Sequence, residues 1–125
     1  MSAPVRKVNR IVTVGVTVPA GSALSTEAVF PADAGQLQGV FIPSTGWTSA
    51  NVTFQGSLDG TTWFNLYNAS GTEIALTVGA LTADRHVQVT TPFPLVPRLR
   101  VRSGTAATPV NQVSAMALTL VFYQP

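Results

Sequence analysis

Cysteine is absent from this 125-residue chain. Disulfide bridges and thiolate metal sites are therefore excluded, and the usage suits folding in a reducing cytosol. Histidine occurs once, as His86. With no GxSxG-type elbow in the sequence, serine nucleophiles have no recognisable base beside them, and His86 reads as a surface residue. Long apolar runs are missing as well. Val12–Val18 and Leu118–Tyr123 are broken by threonine and glycine, and are far shorter than the roughly 20 residues that a membrane-spanning helix needs. The opening MSAPVRKVNR carries charge but no apolar stretch of signal-peptide length. Together these point to a soluble protein.

Charge is the scarcest property. Only 10% of residues are Asp, Glu, Lys or Arg, against about 25% in ordinary soluble domains. A surface built largely from Ser, Thr, Gln and Ala suits either a well-behaved Thr-rich β-protein or one covered by copies of itself or by a partner. The five acids, Glu27, Asp33, Asp59, Glu73 and Asp84, are isolated from one another in sequence. Paired-carboxylate chemistry has no visible basis in that spacing. A calcium site drawing on Asp59, Asp84 and backbone carbonyls is the one metal arrangement conceivable, and the expectation is no metal, no cofactor and no enzymatic activity. Asn51 and Asn68 match the glycosylation acceptor pattern by chance in a Thr-rich chain.

What is present is period-two alternation. Val12, Val14, Val16 and Val18 share one face of RIVTVGVTV, and Met116, Leu118, Leu120 and Phe122 share one face of MALTLVFY. NVTFQGS, IALTV, HVQVT, PRLRVRS and QLQGVFI read the same way. The breaks PAGS, STG, LDG, ASG, VGA and SGTAATP are turn chemistry. The predicted fold is all-β, an antiparallel β-sandwich over residues 11–125, preceded by an extended N-terminal arm over residues 1–10. Segment Ser25–Asp33 has a cap-like Ser25 or Thr26 before Glu27, which permits a short helical turn. Asp59–Gly60 closes a hairpin, and Trp63 is expected to pack where that hairpin meets the core.

The net charge of +2 is concentrated. Arg6, Lys7 and Arg10 form one basic group in the arm. Arg98, Arg100 and Arg102 alternate with Leu99 and Val101, so they share one face at roughly 7 Å spacing. Such a ladder either discourages edge-to-edge aggregation or pairs with carboxylates on a partner or neighbouring subunit. Nucleic acid is not the expected partner, because basic residues there are more numerous and interleaved with aromatics. Trp47, Trp63 and Tyr67 are the rings open to a binding role, by stacking on glycans.

The succession SLDGTTW at Ser57–Trp63, RLRVRSGT at Arg98–Thr105, PVNQ at Pro109–Gln112 and a final apolar strand resembles small β-sandwich virion proteins of tailed bacteriophages, some of them capsid decoration or cement proteins. SLDGTTW followed by a strand of RLRV type is also similar to the discoidin-like jelly roll of many carbohydrate-binding modules. The first resemblance implies a structural protein on the capsid surface, assembled in the host cytoplasm. It would contact the major capsid protein through Arg6, Lys7, Arg10, Arg98, Arg100 and Arg102, and work as a dimer or trimer. The second implies glycan stacking on Trp47, Trp63 and Tyr67. A tail or connector component is a further alternative.

Overall fold

A computed structural model describes residues 10–29, 35–89, 93–94 and 96–124. The arm residues Arg6 and Lys7 lie outside this set, and the first strand begins at Arg10. In chain order the strands are β1 (Arg10–Val18), β2 (Ala28–Val29), β3 (Gln36–Ile42), β4 (Ala50–Ser57), β5 (Trp63–Asn65), β6 (Ala75–Gly79), β7 (Arg85–Gln88), β8 (Arg98–Ser103) and β9 (Met116–Gln124). Every pairing among them is antiparallel.

Two sheets result. Sheet A has the order β1-β9-β3-β7; sheet B has the order β2-β8-β4-β5, with β6 also pairing β4. The pairs β1·β9, β2·β8, β3·β7 and β4·β6 nest inside one another. The chain is thus one long double strand rolled into a sandwich, with the β4–β5 hairpin at its turning point. That is jelly-roll topology. β9, the last strand, lies between β1 and β3 in sheet A.

The core follows from the alternation. Val16, Val18, Leu37, Val40, Ile42, Met116, Leu118, Leu120 and Phe122 face inward from sheet A, and Val52, Phe54, Leu76, Val78, Leu99 and Val101 meet them from sheet B. Phe54 packs edge-on against Phe93, with ring centroids 5.2 Å apart. A bulge between Leu37 and Gly39 returns β3 to phase, so that both Leu37 and Val40 are buried.

Two expectations are corrected. No helical turn forms over Ser25–Val29; the rest of Ser25–Asp33 lies outside the described residues. Ser25 exchanges hydrogen bonds with the backbone of Val101, and Ala28 and Val29 pair with Leu99 and Arg98, so the segment extends along β8. Trp63 is also not a core residue. Its pairing with Ser57, itself opposite Arg98, places it on the outer face of sheet B with the arginines.

The hairpin itself forms as the sequence indicated. Ser57 Oγ accepts from the Asp59 and Gly60 amides, and Asp59 Oδ1 accepts from the Thr61 and Thr62 amides. Gly60 has φ of 81°, and the Arg98 guanidinium lies about 3 Å from where a side chain would begin. The positive φ is what calls for glycine there; the guanidinium, at the end of a flexible side chain, could yield to a Cβ.

Candidate functional site

The outer face of sheet B gathers three arginines, Arg98, Arg100 and Arg102, with the carboxylates of Glu27 and Glu73. Arg98, Arg100 and Arg102 do share this face, as the alternation predicted, but their partners belong to the same chain. Arg98 pairs with Glu27, each side chain about a third exposed. Arg100 donates from Nε to Gln55 Oε1 at 2.8 Å, and its guanidinium stacks 4.2 Å from the Trp63 ring centroid. Partial burial, then the charge of Arg102, lowers the Arg100 pKa from its usual high value, with Glu27 acting in the opposite direction.

Arg102 is 5% exposed. Its Nε donates to Thr53 Oγ1 at 3.0 Å, Nη1 to Asn65 Oδ1 at 2.9 Å and Nη2 to Glu73 Oε2 at 2.5 Å. Glu73 also accepts from the Ala106 amide. This is a closed polar network, and Arg102 is not an accessible docking group. The repulsion expected along a row of arginines is offset by two carboxylates of the chain, one ring and three neutral acceptors.

The three candidate stacking rings do not share a platform. Trp47 packs against the core and donates from Nε1 to the Gly79 carbonyl at 2.9 Å, plugging the end of the sandwich where Gly79 pairs with Ala50. Trp63 sits at the opposite end of the eight-residue β4, roughly 20 Å away at strand rise. It is covered by Arg100. Tyr67 alone is substantially open, at 49%.

Asp59 and Asp84 also occupy opposite ends. Asp84 Oδ1 accepts from the Ser44 amide and hydroxyl, fastening the loop that leads to Trp47. Among the described residues no three His, Asp or Glu side chains converge. Asn51 Oδ1 accepts from the Val78 amide and Asn68 Oδ1 from Ser70 and Thr72, so both sequon asparagines organise local structure.

The outer face of sheet A is different in kind. Across neighbouring strands it presents rows of Ile11, Tyr123 and Gln36, then Thr13, Val121, Gly39 and Gln88, then Gly15, Thr119, Phe41 and His86. None of these is Asp, Glu, Lys or Arg. Ile11 is 69% exposed and Phe41 37%. His86 lies over Gly39, where any side chain would meet the imidazole at 2.3 Å. Beside it Gln38, His86, Gln88 and Val121 line a shallow depression of about 330 Å³, with neither an acid nor a hydroxyl among them.

No family model and no curated protein sequence matches the chain. Its geometry therefore carries the functional argument. Two features escaped the sequence reading. One is the charge-free outer face of sheet A, whose signal was the set of Thr, Gly, Ile, Val and Tyr residues at the odd positions of β1 and β9. The other is Gln112, fully buried in a loop. Its Nε2 donates to the Thr48 carbonyl and Ser103 Oγ, and its Oε1 accepts from the Thr48 amide. Its backbone joins Gly21 and Ser22.

Proposed function

We propose that the chain is a non-enzymatic structural protein that acts by surface contact, a decoration or cement component bound to the major capsid protein on an assembled phage shell. The observation that carries the contact reading is the charge-free outer face of sheet A, which extends across four strands. On its counterpart, the basic face of sheet B, two of the three arginines are paired with carboxylates of the chain and the third lies over Trp63, so that face is a poorer candidate for the main docking surface. The virion setting is supported by the resemblance of SLDGTTW, RLRVRSGT and PVNQ to phage β-sandwich proteins. Many copies on a symmetric lattice make weak single contacts sufficient, and binding only the assembled shell would stabilise it by mass action.

Contact through a neutral face gives a specific expectation for salt. Co-sedimentation with mature shells lacking the protein should show saturable binding at a stoichiometry set by lattice symmetry. That binding should change little between low and physiological salt, and Phe41→Ser with Val121→Ser should abolish it. Absence of binding at every salt concentration removes the capsid role and directs attention to tail components. Binding that falls steeply with salt and survives the double substitution shifts the contact to Arg98, Arg100 and the arm.

A further inference from the structure

β1 is an edge strand without the usual protection. The other strands with an open side are short: two residues in β2, three in β5, five in β6 and four in β7. β1 has nine residues. From Ile11 to Val18 it contains no charge, no proline and no bulge against β9, which are the devices that keep sheet edges from pairing with another chain.

Its open groups can be identified by parity. Thr17 directs its amide and carbonyl to Thr26, away from β9. The β1·β9 register runs unbroken from Arg10↔Gln124 to Val18↔Met116. Backbone direction alternates along a strand, so Gly15, Thr13 and Ile11 also point their N–H and C=O groups away from β9. These three residues have no backbone partner on that side among the described residues, and all three are exposed. Beyond them Thr26 blocks the edge at Thr17.

We propose that this edge pairs with the same edge of a second copy, antiparallel and centred on Thr13, to join two A sheets into one of eight strands. That register places Ile11 opposite Gly15 of the partner subunit, Thr13 opposite its own copy, and Gly15 opposite Ile11 of the partner subunit. All six outward residues then exchange bonds, giving six hydrogen bonds across the twofold axis. Shifting the centre to Val14 would drive Ile11 against the blocked Thr17, and shifting it to Val12 would take Ile11 off the open Gly15 and set it against Thr13.

The side chains agree with this register. Ile11 is the most exposed apolar residue of the sheet at 69%, and a side chain built at Gly15 would find nothing within 4 Å. Each isoleucine therefore lies across the open glycine opposite it. On the inner face Val12 and Val14 are only partly buried, whereas Val16 and Val18 are fully buried. The pairing sets Val12 beside Val14 of the partner and completes their burial. A single paired edge buries less than the roughly 1,600 Å² of a standard stable interface, so the dimer is expected to be reversible, with dissociation in the micromolar range or weaker.

The proposal concerns the chain alone in solution and does not rest on the capsid reading. Sedimentation velocity from about 1 µM to about 1 mM should show a monomer–dimer equilibrium. Thr13→Lys leaves the β9 ladder intact and should weaken it at least tenfold at unchanged thermal stability. Because the chain has no cysteine, Thr13→Cys reports the register. Facing residues of a hydrogen-bonded pair lie about 5.5 Å apart at Cα, within disulfide reach. Mild oxidation should therefore give a covalent dimer from Thr13→Cys and none from Thr17→Cys. A species that is monomeric throughout, association indifferent to Thr13→Lys, or absence of the Thr13→Cys crosslink each overturns the proposal. So does a monomer whose Thr13 and Gly15 amides resist hydrogen exchange, since the chain would then cover its own edge.

Discussion

Replacing Arg102 by methionine keeps a side chain of similar length while removing the guanidinium from its closed network. Three bonds are lost, to Thr53, Asn65 and Glu73. Removing one partner of a buried ion pair costs about 3–5 kcal/mol when the other is left unpaired in the interior. Here the remaining carboxylate is 19% exposed and can recover some water. Thr53 keeps its bond to the Gly104 carbonyl, and Asn65 keeps Gln55. The lower end, about 3 kcal/mol, is therefore expected. With an unfolding entropy of about 2.1 cal/mol/K per residue and 125 residues, that is a fall of about 11 °C in Tm. Glu73→Gln should act comparably, because it strands the more deeply buried cation. The comparison is Arg98→Met, four positions along the same strand, whose pair with Glu27 is a third exposed and should contribute under about 1 kcal/mol. Urea titrations with an unchanged slope would measure all three. Equal effects at Arg98 and Arg102, or a coupling between Arg102 and Glu73 near zero in a double-mutant cycle, would refute the account of a structural network.

Gln112→Leu should destabilise by about 3 kcal/mol, since it leaves the Thr48 amide, the Thr48 carbonyl and the Ser103 hydroxyl without their partner in a buried loop; chemical denaturation measures it. Backbone bonds from Thr62 and Thr61 hold the Asp59 pKa below its ordinary value of 3.8. The folded pKa is thus lower than the unfolded one, so the contribution of this turn is complete above the ordinary value and disappears as pH falls through the folded one. Asp59→Asn should flatten that acid limb in a Tm-against-pH series. Arg100→Gln uncovers Trp63 but not Trp47, so acrylamide should quench one tryptophan more strongly and leave the other unchanged.

The long strands were legible because one face of each is buried, which forces period-two sequence. The alternating valines of β1 and the run from Met116 to Phe122 show this directly. β2 and β5, at two and three residues, are too short to alternate, and the cap-like Ser25 and Thr26 before β2 are equally compatible with a helical turn. The phase of the arginines was legible for the same reason as the valines. What they meet was not, because Glu73 and Glu27 lie 29 and 71 residues away along the chain. Trp63 was misplaced because its face depends on the register of the hairpin, Ser57 against Trp63, and five loop residues do not reveal that parity. Gln112 carries no periodicity at all. Its role exists only once Thr48 and Ser103 have been brought beside it.

The position of β9 has a consequence for how the protein is made. The strand that joins β1 to β3 in sheet A is synthesised after the other eight strands, since Met116–Gln124 pairs on one side with residues from Arg10 and on the other with residues from Gln36. Until then β1 has no neighbour in its sheet, and half of the core has no lid. Vectorial synthesis can lay down the β4–β5 hairpin early, but closure of the sandwich has to wait until Met116–Gln124 has been made. Pairings of such sequence separation are slow to form. A nascent chain stalled before residue 116 would present the unguarded edge of β1 to whatever strand came first.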